Sequence, residues 1–256
     1  MKIFQIIHVE LRRSLGYWGF WVMLVLMSLI SIAIYNMGVK FKVNGMSFIE
    51  QSFPDIWHIG TYIFSFLSYF PLLLLINSVS NDFNYRVIRQ NIIDGWTPLH
   101  WLVGKIFFII FLGIVTVLIA MATMSFEGFQ NTPWVTFEIY TEKIYFLGLL
   151  FIRIVGLCSL GLMISSIIPR SNIALVIFMG MLLLEKYVLY KFENIPVLLP
   201  FQVFGELIPR PNVNKLIDAV LPITPYNTSD LIGISLIYIL AFYGISLVVL
   251  YNKDIR

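Results

Sequence analysis

Six apolar runs, each about as long as a bilayer-spanning helix, alternate along this chain with shorter polar stretches. They cover roughly 17–37, 57–79, 102–124, 145–168, 172–190 and 230–251. Lipid offers no partner to an unpaired N–H or C=O, so each run is predicted to be a helix that satisfies its own backbone. The first run is too long for the apolar core of a signal peptide, and no A-x-A site follows it. It is predicted to be a retained anchor. The second run carries a polar stripe, and the segment from 191 to 229 is broken by Pro196, Pro200, Pro209, Pro211, Pro222 and Pro225.

Composition agrees with this pattern. Of 256 residues, 59% are hydrophobic and only 12% charged, and the mean hydropathy is +0.87. A soluble core cannot bury that much apolar surface, so lipid must serve as solvent. The expected class is an all-α membrane protein of six transmembrane helices, in one domain spanning 1–256. The single cysteine, Cys158, excludes a disulfide framework. The net charge of +3 comes without a basic cluster, which argues against nucleic acid as a partner.

The basic residues bear on orientation. With the N-terminus in the cytoplasm, Lys2, Arg12, Arg13, Arg86, Arg89, Lys105, Arg170, Lys253 and Arg256 lie inside, and Lys40, Lys42, Lys143, Lys186, Lys191, Arg210 and Lys215 outside. The inner side leads, most clearly around the first helix, so both termini are expected in the cytoplasm.

Residues 2–13, KIFQIIHVELRR, place Ile3, Phe4, Ile7 and Leu11 on one helical face and Gln5, His8 and Arg12 on the other. This pattern predicts an amphipathic helix lying in the membrane interface. Between the second and third runs lies SNDFNYRVIRQNIIDGWTPLHWLVGK, residues 80–105. Asn81 or Asp82 is expected to cap a helix start, Tyr85, Ile88 and Ile92 to share a face, and Gly95 to stop the helix. Thr97-Pro98 then caps the next helix, with His100, Trp101 and Lys105 suited to the interface. A simple connector could be far shorter. From the residues alone, a solvated connector and a docking handle both remain open.

These features resemble the permease subunit of a type-2 ATP-binding-cassette (ABC) transporter. Asp82, Arg86, Arg89, Gly95 and Lys105 sit where that family carries an acidic residue, a turn and the lysine that opens the third span. The run Arg89-Gln90-Asn91-Ile92-Ile93-Asp94-Gly95 is similar to members from Bacteroidota. Two positions depart from the family pattern: Asp82 replaces the common Glu, and Tyr85-Arg86 the common Gly-Thr. The resemblance covers nearly the whole chain. It implies that residues 82–95 form a cytoplasmic coupling helix, with Asp82, Tyr85, Arg86, Ile88, Arg89, Ile92, Asp94 and Gly95 meeting an ATP-binding subunit. Two copies of that subunit would carry ATP and Mg. A second permease chain, identical or related, would complete twelve spans in a bacterial inner membrane, with export as the direction. This chain should hold no cofactor or metal and should not be an enzyme. Gly104-Lys105 is followed by Ile106 and lacks the Ser/Thr and upstream glycine of a phosphate loop.

Four further features can be read. His58, Thr61, Tyr62, Ser65, Ser68 and Tyr69 form the stripe on the second span, either lining a substrate path or bonding neighbouring helices. Pro71 is expected to kink that span. Arg153 and Glu185 lie at equal distances from the turn near Pro169, so each is expected to meet the other or a polar group at its depth. Gly156, Gly161, Ser159, Ser165 and Ser166 make the fourth span a close-packing helix. The segments VLLPFQVFGELI and VNKLIDAVLPI suit either short re-entrant helices or an ordered loop. Two rival functions stand beside the permease. A lipid-modifying enzyme would need clustered polar residues, but His8, His58 and His100 are scattered. A non-transporting scaffold of an ATPase-linked cell-surface or motility complex could share the fold.

Overall fold

A computed structural model describes residues 2–40, 42–43, 46–47, 52–191, 198–211 and 227–252. The chain is a bundle of six membrane-crossing helical segments, and it is a multi-pass membrane protein. Helix α1 (Lys2–Leu15) leads into the first span, α2 (Trp18–Lys40). A brief antiparallel pairing of Lys42–Val43 with Met46–Ser47 follows. The second span is divided into α3 (Ile56–Leu67) and α4 (Tyr69–Asn84). Short α5 (Val87–Ile93) precedes the third span, α6 (Pro98–Asn131). After α7 (Phe137–Thr141) come the fourth and fifth spans, α8 (Tyr145–Ile167) and α9 (Ser171–Lys191). Short α10 (Pro200–Glu206) and the last span, α11 (Thr228–Asn252), complete the described chain. The segment VNKLIDAVLPI lies outside the described residues.

All six predicted spans are present, with ends shifted by only a few residues. The third continues past the expected 124 to Asn131. The second is interrupted at Ser68. Pro71 has no N–H for the Leu67 carbonyl, and its ring crowds that turn. The Ser68 hydroxyl donates to the Ser65 carbonyl at 2.5 Å, at the point where the regular ladder lapses.

The centre of the bundle is α8, which packs against α3, α4, α6, α9, α10 and α11. Its spanning segment is 78% buried, against 17% for α9 and 22% for α11, so these two present most of their surface to lipid or a partner. The glycines of α8 admit its neighbours. A Cβ on Gly161 would lie 2.4 Å from Leu72 of α4, and one on Gly156 only 2.1 Å from Phe204 of α10. Ser159, Ser165, Ser166 and Cys158 are fully buried along the same helix, as expected for a close-packing span.

Helix α1 lies against α6, and the face it turns to the bundle is mixed. Ile6 and Ser14 are buried, and Ile7, Glu10, Leu11 and Arg13 are partly so. The inward face is mixed because its two charges meet opposite charges on α4 and α6.

Replacing Gly161 by Val should force α4 from α8 and lower stability by roughly 1–3 kcal/mol, as core overpacking does. Thermal unfolding in detergent would read this. Gly148→Val, at a position with nothing within 4 Å of the added carbon, should leave the midpoint nearly unchanged.

Candidate functional site: a helix held over a buried charge network

The short helix α5 sits between α4 and α6, at the end of the bundle that carries α1. Its start differs from the sequence expectation. Asn81 and Asp82 do not cap α5, because they belong to the last turns of α4. That helix ends when the Tyr85 N–H bonds the Asn81 carbonyl and the Arg86 N–H the Phe83 carbonyl. Arg86 adopts a left-handed backbone, φ 55°, the one non-glycine positive φ among the described residues. Such a conformation costs about 1 kcal/mol in an L-residue. The chain turns there, and α5 begins at Val87.

Its end matches the prediction. Gly95 has φ 82°, its N–H bonds the Ile92 carbonyl at 3.0 Å, and the Trp96 N–H bonds the Asn91 carbonyl at 2.8 Å. This paired closure is the Schellman motif, and it needs the left-handed residue that glycine supplies. Pro98 opens α6, and the Thr97 N–H donates to Nδ1 of His100 at 3.1 Å.

Ile88 and Ile92 lie i, i+4 on α5, but Tyr85 does not share their face. Ile88 is buried beneath α5, Ile92 is exposed at its edge, and Tyr85 is 78% exposed before the turn. The left-handed Arg86 breaks the helical period across which the three were aligned. The outward surface consists of Tyr85, Arg86, Arg89, Gln90, Ile92, Ile93, Asp94 and Gly95. Ile93, which the sequence pattern did not single out, is 72% exposed, an isolated apolar side chain at the helix tip.

Asp82 points inward. It is 2% exposed and accepts from Trp101 Nε1 at 2.9 Å. Arg13 grips it with both terminal nitrogens, at 2.8 and 3.1 Å. Lys105 Nζ lies 2.8 Å from Asp82 Oδ2, 2.6 Å from Glu10 Oε1 and 3.0 Å from Ser78 Oγ. Arg13 also reaches both Glu10 oxygens at 2.9 Å. Two carboxylates and two cations therefore balance, joining α1, α4 and α6 at the end of the bundle that carries α5. Lys105 is wholly buried. Trp101 is likewise buried. Burial disfavours the Arg13 charge, but the Glu10 and Asp82 carboxylates outweigh it and raise the guanidinium pKa above its ordinary value. Glu10 did not enter the sequence reading, and Arg13 entered it only as a basic residue of the inner side. That Asp82 and Lys105 were the other half only the fold reveals.

The stripe of the second span lies on one side of α3 and α4. Thr61 donates to the Trp57 and His58 carbonyls, Ser65 to Tyr62, and Ser68 to Ser65. These three hydroxyls are buried and bonded within their own helix. His58 stacks on Phe146 with ring centres 4.3 Å apart, and its Nε2 lies 2.8 Å from the Pro209 carbonyl. Tyr62 and Tyr69 remain half-exposed.

Arg153 and Glu185 do not pair with each other. Both serve α10. Glu185 accepts the Phe201 and Gln202 N–H groups at 3.1 and 2.5 Å, while Arg153 Nη1 donates to the Phe204 carbonyl at 2.6 Å. The carboxylate thus sits at the N-terminus of a short helix and the guanidinium at a carbonyl near its C-terminus, each where the backbone has the opposite partial charge. Of the two expected outcomes, the second holds: each meets a polar group, the backbone of α10, which stands between them. Val203, Phe204, Leu207 and Ile208 are buried, so this part of VLLPFQVFGELI is a helix packed into the bundle.

No protein-family model matches the chain, and a search of curated proteins finds no relative.

Changing Lys105 to Met should destabilise the protein by about 3–5 kcal/mol, because Glu10 and Asp82 then remain buried with one cation between them. Arg13→Gln should cost less, since that side chain is 37% exposed. Detergent unfolding would rank the two. At the other site, Arg153→Glu and Glu185→Arg should each destabilise, and the double swap should recover nothing. Each reversed charge would then face the wrong end of α10.

Proposed function

We propose that this chain is the membrane subunit of an ATP-driven transporter of the type-2 ABC kind, acting as an exporter in a bacterial inner membrane. Its α5 is the coupling helix that docks on an ATP-binding subunit. The observation that carries the reading is the way α5 is mounted. A seven-residue helix stands exposed at one end of the bundle, closed by a left-handed turn on each side. Ile88 is buried beneath it, and the two helices it packs on, α4 and α6, are tied to each other and to α1 by the Glu10–Arg13–Asp82–Lys105 network. A loop that only joined two spans would need neither the left-handed Arg86 nor a buried lysine beneath it. Local strain in an over-determined frame is a feature of sites that do work.

In this reading the residues divide by role. Tyr85, Arg86, Arg89, Ile92, Asp94 and Gly95, together with Ile93, meet the partner. Asp82 and Ile88 act from beneath, holding the helix in place. Closure of two ATP-binding subunits, which carry ATP and Mg, pushes α5, and the network passes that movement to α1, α4 and α6 as one body. A second permease chain, identical or related, completes the transporter. The exposed face of α9, with Val176, Leu183 and Leu184, offers apolar surface for it or for lipid. The proposed orientation has both ends of the chain in the cytoplasm. His58, Tyr62 and Tyr69 are the stripe residues with groups left to face a substrate.

A scaffold reading draws on one observation, that Thr61, Ser65 and Ser68 spend their hydroxyls on their own helix. ATPase activity that no candidate substrate stimulates would favour it.

Gentle purification from native membranes, followed by mass spectrometry, should recover a stoichiometric ATP-binding subunit. Arg86→Glu with Arg89→Glu should lower its recovery by about tenfold or more through charge reversal at the contact, with unfolding of the chain itself unchanged. A chain recovered without any nucleotide-binding partner would overturn the reading.

A further inference from the structure

Two cavities meet where α1 turns into α2. The first, of about 260 Å³, is lined on its polar side by Arg13, Tyr17, Ser78, Asn81, Asp82 and Tyr85. The second, of about 220 Å³, runs between α2 and α4 along Val22, Leu26, Phe70 and Leu73. Tyr17 and Leu74 line both, so the two adjoin, a polar head beside an apolar tail, and are taken together as one groove.

The head is a surface of donors. The Tyr17 hydroxyl already accepts from Asn77 at 2.6 Å, and the Ser78 hydroxyl from Lys105 at 3.0 Å, which leaves each proton free to be given. The Arg13 side chain is partly exposed, and the Asn81 amide adds two donors. The one acidic group there, Asp82, is taken up by Arg13, Lys105 and Trp101. Donors converging here, with the carboxylate acceptor of Asp82 already engaged, suit a group rich in acceptors, and a phosphate diester is such a group. The tail opens between two membrane-crossing helices, with Val22, Leu26 and Leu73 between 37% and 40% exposed, so hydrocarbon is what meets it. Trp18 and Trp21 are exposed on the first turn of α2, where aromatic rings mark the headgroup level.

We infer that this groove is a binding site for a single glycerophospholipid. Its phosphate lies among Arg13, Tyr17, Ser78 and Asn81, and one acyl chain follows Val22, Leu26 and Leu73. A lipid so placed joins the α1–α2 corner to the end of α4, where Tyr85 and Arg86 turn the chain into α5. Membrane composition would thereby reach the exposed helix. The site stands whether or not α5 docks on an ATPase.

The test is native mass spectrometry of the full chain in detergent, titrated with dioleoylphosphatidylglycerol, with dioleoylglycerol and with glycerol 3-phosphate. One phospholipid should bind per chain. Dioleoylglycerol, with the same chains and no phosphate, should bind about tenfold more weakly, and glycerol 3-phosphate should show no binding. Val22→Trp, which fills the tail from a lipid-facing position, and Tyr17→Phe, which removes a head donor, should each weaken phospholipid binding by about tenfold. The two changes act at opposite ends of the groove, so a folding defect in one leaves the other informative. Equal binding of phospholipid and dioleoylglycerol, preferential binding of glycerol 3-phosphate, or phospholipid binding unmoved by both substitutions would each overturn the site. The last result would mark the bound lipid as general annular lipid.

Discussion

A lysine with no exposed surface holds together the end of the molecule on which α5 depends. The Lys105 ammonium joins a carboxylate from α1, a carboxylate from α4 and a serine from α4, and its stem rises from the second turn of α6. A buried charge is tolerated only when its neighbours replace the water it has lost. Three elements distant in sequence are therefore held in one geometry. If any one moves away, a charge is stranded in a region of low dielectric. This constraint makes α1 part of the bundle, although its pattern is that of a helix resting on lipid. It also explains why α5 has a firm floor at the point where α4 stops.

A similar solution appears near α10, with backbone as the intermediary. Arg153 and Glu185 are charges within the bundle that never touch, and the peptide dipoles of a seven-residue helix stand between them. Gly156 makes room for Phe204, and Gly161 for Leu72, so that α8 can serve as common ground for both ends of the bundle. The molecule thus has two polar clamps, one joining α1, α4 and α6 and one joining α8 and α9 through α10. One fixes an exposed helix and the other fixes a helix packed into the bundle.

The functional reading follows from this mounting. In the proposed reading, the exposed apolar tip flanked by Arg86, Arg89 and Asp94, on a helix closed at both ends, is what a partner would grip, and the network beside it would carry what the grip imposes. The groove beside it faces lipid at one end and donors at the other, so the same corner that supports α5 is open to the membrane's own molecules.

The apolar runs by themselves determined the six spans and the all-α class, because crossing a bilayer demands length and hydrophobicity that hardly anything else imitates. The stop at Gly95 and the start at Thr97-Pro98 were legible for a related reason. Each depends on the backbone of a few neighbouring residues, and glycine and proline announce it. The glycine- and serine-rich fourth span was also readable as a packing helix. Tertiary structure alone decided which charges meet. Asp82 looked like a helix cap and became an internal anchor, since its partners lie on α1 and α6. Arg153 and Glu185 each needed a polar partner, and a helix from a later part of the chain supplied it by coming between them. The break in period at Arg86 moved Tyr85 off the face of Ile88, because a left-handed residue other than glycine has no local signature. Hydrophobic pattern is a property of each segment and survives in the sequence. Charge pairing is a property of segments brought together, and it exists only once the chain has folded.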